Sequence, residues 1–111
     1  METIKKIVLR HIKKPEENRE HFLSAELRNN GELFFVGWDV TPVAKDFTGS
    51  SEYEYEKTIK NKDLPFLRSA FNIPDEKDIL DFLLENFNGE NSFEFERLLK
   101  EKNVPFELDI W

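Results

Sequence analysis

The amino-acid sequence predicts an α+β fold, in which an antiparallel sheet of four or five strands carries three helices packed on one face. Residues 22–28 and 52–59 alternate apolar and polar side chains, which is typical of half-buried strands. The stretch from Leu33 to Trp38 is apolar on both faces, which is typical of a strand covered on both sides. Beyond residue 60 the apolar residues recur every three or four positions, the period of an amphipathic helix. Strands followed by helices indicate the α+β class.

The strands predicted at 22–28 and 32–39 are joined by Asn29-Asn30-Gly31, the composition of a tight hairpin. Asn and Gly both tolerate the positive φ angles of such turns, so we place the turn at Asn30-Gly31. Because the second strand is apolar on both faces, the rest of the chain has to cover both of them. We expect the helices on one side and another part of the chain on the other.

Three further segments complete the predicted sheet. Residues 3–12 fit either a helical face or a β-branched strand, and we predict a strand because the run is short and leads into a polar loop. The segment 41–51 contains proline, glycine and hydroxyl residues and is predicted to be a long connection. A last strand is expected at 105–111, with Pro105 favouring an edge position because proline has no N–H donor.

Three helices are predicted near residues 63–71, 76–87 and 92–102. Asp75 is placed at the start of the second helix, where a carboxylate accepts hydrogen bonds from the first free N–H groups. The Phe and Leu faces of these helices are expected to pack on the sheet. The predicted core residues are Leu33, Phe35, Leu83, Phe87, Leu98 and Phe106.

Length and composition restrict the class of protein. The chain has 111 residues, near the common size of one domain, so residues 1–111 are predicted to form a single α+β domain. It has no Cys, which excludes disulfides and thiolate chemistry and fits a reducing compartment. No apolar run approaches the roughly 20 residues that cross a bilayer, and no signal-peptide pattern is present, so we expect a cytoplasmic protein.

Acidic residues dominate the charge of the chain. The formal net charge is −7, although the first 14 residues hold five Lys or Arg against one Glu. An acidic body disfavours nucleic-acid backbones and anionic membranes as direct partners and favours a basic protein. Solubility alone is the other explanation for this acidity.

No residue pattern predicts catalysis, a metal site or a cofactor. The sequence has no Gly-rich phosphate loop and no Gly-x-Ser-x-Gly motif, and its two histidines, His11 and His21, flank a loop. We therefore predict a protein that is not an enzyme and that uses neither metal nor cofactor. The alternative is a small hydrolase or nucleotide-processing enzyme of unknown reaction.

The predicted partner-binding residues lie on the acidic strand at 52–59 and on the segment before it. Adjacent glutamates on one strand face repel each other unless they are solvated or paired, and tyrosine rings give contact area at low entropic cost. Asp39 follows Trp38, which is expected to be a core ring, and either caps N–H groups of the next loop or faces the partner. The predicted set is Asp39, Asp46, Glu52, Tyr53, Glu54, Tyr55 and Glu56.

The order of these signals resembles a group of small, uncharacterised bacterial α+β proteins. The matching residues are Gly37-Trp38-Asp39 in GELFFVGWD, Tyr53-Glu54-Tyr55 in SEYEYEKTI, Phe82 to Phe87 in DILDFLLENF, and Phe106 to Trp111 in the closing VPFELDIW. The resemblance covers roughly residues 32–111 and is carried by fold-like motifs.

In its overall character the chain is similar to immunity proteins, which bind and neutralise bacterial toxins. It is also similar to phage- or mobile-element-encoded inhibitors of nucleic-acid-binding defence complexes, of the anti-CRISPR or anti-restriction type. Both resemblances imply a protein partner, an inhibitory role and no catalysis.

Overall fold

The computed structural model describes residues 3–17, 19–42 and 50–110, which form five strands and three helices. In chain order these are β1 (Thr3–Lys14), β2 (Arg19–Arg28), β3 (Leu33–Pro42), β4 (Ser50–Ile59), α1 (Leu64–Phe71), α2 (Ile79–Asn86), α3 (Asn91–Glu101) and β5 (Glu107–Ile110). The sheet is an antiparallel meander in which each strand pairs with its neighbours in the sequence, in the order β1-β2-β3-β4-β5. The predicted fold class is confirmed. Within the described residues, no helix has the length and apolar character that crossing a membrane requires.

The β2–β3 hairpin turns through Asn29, Asn30 and Gly31. The Gly31 N–H donates to the Arg28 carbonyl and the Arg28 N–H donates to the Glu32 carbonyl, both at 2.9 Å. This pattern is a three-residue turn that ends in a glycine bulge, with Gly31 at φ +85°. The turn contains the predicted Asn30-Gly31 and begins one residue earlier, and of these two residues only Gly31 adopts the expected positive φ. The Asn30 side chain accepts a hydrogen bond from the Glu32 N–H at 3.1 Å.

The first segment is a strand, as predicted for residues 3–12, and it contains a β-bulge. Between Val8 and Arg10 the register against β2 shifts by one residue, which makes Leu9 the extra residue. A bulge bends the strand and turns successive side chains toward one face. Leu9 and Arg10 are accordingly both buried, although strict alternation would place them on opposite faces. The Gly89 N–H, just before α3, donates to the Leu9 carbonyl at 2.6 Å.

All three helices pack on one face of the sheet, which we call the covered face; the other is the open face. The rings of Phe35, Phe71, Phe87 and Phe95 form the centre of the core, with contacting ring centroids 5.2 to 5.8 Å apart. Helix α2 lies over β1 and β2, and α3 contributes Phe95 above β3. Strand β5 and the outer edge of β4 continue beyond the helical layer, where Leu108 remains exposed.

Most of the predicted core is confirmed. Leu33, Phe35 and Leu83 are fully buried, and the partly buried Phe87 and Phe106 pack against the core cluster. Leu98 is only half-buried and lies outside that cluster, because α3 turns Ser92, Phe95 and Leu99 toward the sheet instead. One residue along a helix is a rotation of about 100°, enough to move Leu98 off the buried stripe.

The second helix begins at Ile79, three residues later than the predicted start at residue 76. Its N-cap is Asp78, whose carboxylate accepts a hydrogen bond from the Asp81 N–H at 3.0 Å. Residues 74–77 form a turn, and Arg68 of α1 holds it by donating to two of its carbonyl oxygens at 2.7 and 2.9 Å. The expected cap, Asp75, lies exposed in that turn.

Candidate functional site

Strand β4 places the predicted binding residues on two different faces of the sheet. Its register against β3 pairs Tyr53 with Asp39 and Tyr55 with Gly37, and these residues belong to the covered face. Glu54 and Glu56 point to the open face. The structure therefore separates the tyrosines from the glutamates.

For the two other members of the predicted set, Glu52 and Asp46, the structure describes no side-chain contact. Glu52 lies in β4, where its backbone pairs with Val40. Asp46 lies outside the described residues.

The open face carries an aromatic stack that no described helix covers. The rings of Phe22 and Trp38 lie nearly parallel, with an interplanar angle of 13° and centroids 5.3 Å apart. His11 meets both rings edge-on. Trp38 is only half-buried, so the expectation of a core ring was wrong. The expected second cover of β3 is provided only in part by the described residues, because the Arg28 guanidinium lies over the Phe34 ring while Val36 and Trp38 stay half-buried.

Carboxylates border this aromatic stack. A depression of about 300 Å³ beside Trp38 is lined by Glu20, Val40 and Glu54, and Asp39 reaches it from the end of β3. Glu20 is already bound to the His11 ring at 2.8 Å. Glu54 is exposed and has no ion-pair partner among the described side chains. The depression therefore combines an aromatic wall with a carboxylate that is free to accept a donor.

The covered face holds a larger cleft, of about 600 Å³, where the helical layer ends beside β4 and β5. Helix α3 forms one wall and the β4–β5 pair the other. Its lining combines four cationic, three carboxylate and four aromatic or apolar side chains: Arg10, Lys57, Arg97 and Lys100; Asp39, Glu96 and Glu101; and Tyr53, Tyr55, Phe93 and Leu108. Tyr53, Phe93 and Leu108 are exposed apolar side chains, whereas Tyr55 and Lys57 are buried in its floor.

A hydrogen-bonded charge network forms the floor of this cleft, with Glu96 of α3 at its centre. One Glu96 oxygen accepts from Arg10 at 2.8 Å, and the other accepts from Lys57 and from the Tyr55 hydroxyl, both at 2.8 Å. Arg10 also donates to Tyr55 at 3.2 Å and to Ser92 at 2.9 Å. The side chains of Arg10, Lys57 and Glu96 are 1%, 7% and 16% exposed, so these ion pairs are shielded from water.

The network determines which of these groups are charged. Burial opposes ionisation of Glu96, but attraction to Lys57 and Arg10 and the hydrogen bonds from Lys57 and Tyr55 outweigh it, so the pKa of this carboxyl lies below its usual value. Burial and the adjacent negative charge of Glu96 raise the pKa of the Tyr55 phenol. Tyr55 is therefore a neutral hydroxyl at physiological pH, and Glu96 is an ion.

Asp39 lies at one end of the cleft and binds a histidine. One of its carboxylate oxygens is 2.8 Å from Nδ1 of His21, across the β2–β3 pair. The two predicted alternatives for Asp39 were capping of the following loop and contact with a partner. Among the described residues its hydrogen bond is to His21, whose ring also meets Phe93 edge-on.

The pKa of Glu96 and the positions of the described His, Asp and Glu side chains can be compared with what acid catalysis and metal binding require. A general acid would need a carboxyl of raised pKa, and the carboxyl next to Tyr55 has a lowered one. No group of three or more His, Asp or Glu side chains that could hold a metal occurs in the described part of the chain. That the protein is not an enzyme stays a prediction.

None of Arg10, Lys57 and Glu96 was predicted from the sequence as a site residue. Arg10 reaches the covered face only because of the bulge, which no sequence pattern marks. Lys57 did carry a signal, because it shares the period-two face of Tyr53, Tyr55 and Ile59 and is the only charged residue on it. A lysine in the buried register of a strand predicts a buried ion pair, and Glu96 supplies it.

Comparison with known proteins identified no relative of this chain. A scan against protein-family models, a search of curated proteins and a search of solved structures each gave no match. The resemblance to immunity proteins therefore stays a prediction.

Proposed function

We propose that this chain is an acidic protein-binding module that blocks a basic protein through the open face of its sheet, as an immunity-type inhibitor of a bacterial toxin. The observation that carries the proposal is the second face of β3. Val36 and Trp38 are half-buried apolar side chains that no described helix covers, whereas Phe34 on the same face is buried beneath the Arg28 guanidinium, 3.6 Å from the ring centroid. Half-buried aromatic rings rimmed by polar side chains offer a partner protein contact area at low entropic cost.

The chemistry of the open face favours a basic side chain in the centre of the interface. A Lys or Arg that enters the depression beside Trp38 would meet an aromatic face on one side and Glu54 on the other. Cation–π contact and a charge-assisted hydrogen bond reinforce each other when water is excluded. Rigid aromatic anchors surrounded by polar groups are the usual composition of an interface hot spot.

The acidic rim also gives a reason for tight and fast association. Glu56 lies opposite Asp109 of β5, so carboxylates continue beyond β4 on the same face. If the partner is a basic nuclease, these carboxylates take the place of substrate phosphates and steer the encounter. Inhibition should then weaken as the salt concentration rises.

The runner-up function is an inhibitor of a nucleic-acid-binding defence complex, which would use the same acidity over a larger surface. Gene neighbourhood separates the two. A toxin gene directly upstream supports the immunity function, whereas a prophage cluster supports the defence inhibitor.

The test is capture of the partner from the native cell with tagged protein, followed by mass spectrometry and measurement of affinity at several salt concentrations. The informative variant changes Glu52, Glu54 and Glu56 together to Lys. A matched control changes Asp75, Glu76 and Glu90 to Lys, which alters the net charge equally on exposed sites of the helical side.

We expect the control to bind the same basic protein as the wild type and the open-face variant to lose it. Trp38→Ala should also lose the partner while keeping the native circular dichroism spectrum. The proposal is wrong if the open-face variant retains both its affinity and its salt dependence. It is also wrong if sedimentation shows that two copies of this chain cover the face themselves.

A further inference from the structure

The floor of the cleft on the covered face holds more positive than negative charge. Arg10 and Lys57 are both buried there, and Glu96 is the carboxylate that lies between them. Tyr55 cannot act as a second anion, because its pKa is raised and the phenol stays neutral. Buried charges are normally paired. The network of Arg10, Lys57 and Glu96 thus holds two cations and one carboxylate, and the nearby carboxylate of Asp39 is bound to His21.

The hydrogen bonds of the network lead to the same conclusion. The Lys57 ammonium has three N–H donors, and among the described groups one of them meets an acceptor, Glu96. The Arg10 Nε is buried and has no hydrogen-bond partner. Buried donors are nearly always satisfied in folded proteins, so the floor of the cleft is short of acceptor atoms.

The cleft above this floor has the shape and lining of a ligand site. Its volume of about 600 Å³ lies in the range typical of small-molecule pockets. Lys57 and Leu108 face each other at one end of the cleft, and Lys100 lies one helical turn beyond Glu96 on the same helix.

Tyr53 lies at the opposite end of the cleft, together with Phe93. Tyr53 and Lys57 are four positions apart on β4, which corresponds to about 13 Å along a strand. Two lysines therefore lie at one end of the cleft and two aromatic rings at the other, where the Arg10 guanidinium lies 3.9 Å from the Phe93 ring centroid and Asp39 stands opposite Tyr53.

From this arrangement we infer that the cleft binds a small organic monoanion, a carboxylate attached to an apolar or aromatic body. The carboxylate contacts Lys57 and the exposed Lys100, which has no ion-pair partner among the described side chains. The body packs between Tyr53 and Phe93. A single negative charge balances the floor, whereas a dianion such as a phosphate monoester would exceed it.

This site is independent of the proposed interface, because the two lie on opposite faces of the sheet. Loss of one should leave the other intact, so a failed test of either proposal does not decide the other.

The experiment is a titration of the isotopically labelled full chain with 4-phenylbutanoate, followed by NMR chemical shifts. Its uncharged counterpart, 4-phenylbutanamide, has the same body without the charge, and phenyl phosphate carries more charge. We expect saturable shifts that include Tyr53, Phe93 and Lys100, with binding at least about tenfold weaker for the amide. Inorganic phosphate, which lacks a body, should bind more weakly than 4-phenylbutanoate.

The decisive variants compare Lys100 in the last turn of α3 with Lys102, the residue that caps this helix. Lys100→Met should weaken binding of 4-phenylbutanoate severalfold, whereas Lys102→Met, whose ammonium lies over Phe71 outside the cleft, should not. Lys57→Met should weaken it about tenfold or more, provided that its spectrum remains native.

The inference is overturned if no saturable shift appears up to about 10 mM probe, the weak limit of specific binding. Equal affinity for acid and amide, tighter binding of phenyl phosphate, or equal effects of Lys100→Met and Lys102→Met would each overturn it as well.

Discussion

The two faces of the sheet differ in which side chains they bury: the covered face buries charged groups, and the open face leaves aromatic rings partly exposed. On the covered face, the charged side chains of Arg10 and Lys57 are buried, and the half-buried Glu96 accepts hydrogen bonds from both cations. On the open face, the Phe22 and Trp38 rings stack without a helix above them, and Glu54 beside them is unpaired among the described groups. A strand that alternates between such environments has one set of side chains in the core and another set beside solvent. Substitutions on the two faces should therefore have separable effects.

The largest expected contrast is between two residues of β3. Phe35→Ala removes a fully buried ring from the aromatic core and should lower the free energy of unfolding by about 3–5 kcal/mol. Trp38→Ala removes a half-buried ring and its stack on Phe22, and should cost about 1 kcal/mol. Urea unfolding monitored by circular dichroism measures both. Equal losses would contradict the assignment of the two faces.

The next contrast is between neighbouring residues of α3, both ion-paired. Glu96→Gln leaves two buried cations without their carboxylate and should cost on the order of 3 kcal/mol near pH 7. Arg97→Gln removes contacts of an exposed guanidinium with Glu94 and Glu101, and we expect no measurable change. Urea unfolding of both variants at pH 7 compares the two.

The pH dependence of the Glu96→Gln effect has a definite sign. Because the pKa of Glu96 is lower in the folded than in the unfolded chain, its contribution is fully present above the unfolded value of about 4.5. It is lost as the pH falls through the folded pKa. The stability difference between wild type and Glu96→Gln should therefore shrink as the pH falls below about 4.5, and a difference that grows there would contradict the network.

A smaller contrast concerns two glycines. A Cβ at Gly37 would lie 2.7 Å from Cε2 of Tyr55 and closer still to other atoms of that ring, which Glu96 and Arg10 hold in place. Gly37→Ala should therefore cost about 2 kcal/mol by overpacking.

Two comparisons separate this clash from backbone effects. Gly89→Ala meets no neighbouring atom, and only its φ of +59° makes it costly, by about 1 kcal/mol. Combining Gly37→Ala with Tyr55→Leu should cost less than the sum of the single changes. Additive losses would show that the ring is not the obstacle.

The smallest expected effect is a gain in stability. Glu56 stands opposite Asp109 across the β4–β5 pair, and like charges in this position repel each other. Glu56→Gln should therefore stabilise the fold by about 0.3 kcal/mol at low salt and by less at high salt. The same change should weaken binding of the proposed partner, with Glu90→Gln as the control. A stability gain without any loss of binding would favour solubility as the role of this carboxylate.

Period and composition alone determined the fold class, the strand at 52–59 and the division of Tyr and Glu between two faces. These are local properties, because a strand alternates every two residues and a helix repeats every 3.6 whatever lies around them. For the same reason the sequence predicted that both faces of β3 are apolar. It did not determine which of them the helices would cover, because both are suitable.

The tertiary structure decided the features that depend on residues far apart in the sequence or on a one-residue shift in strand register. Glu96 meets Arg10 from 86 positions away, and the bulge at Leu9 is what brings Arg10 to that face. Such contacts follow from the order in which strands and helices pack, which no local period encodes. The partial exposure of Trp38 is also a tertiary result, because all three helices pack on the other side of the sheet.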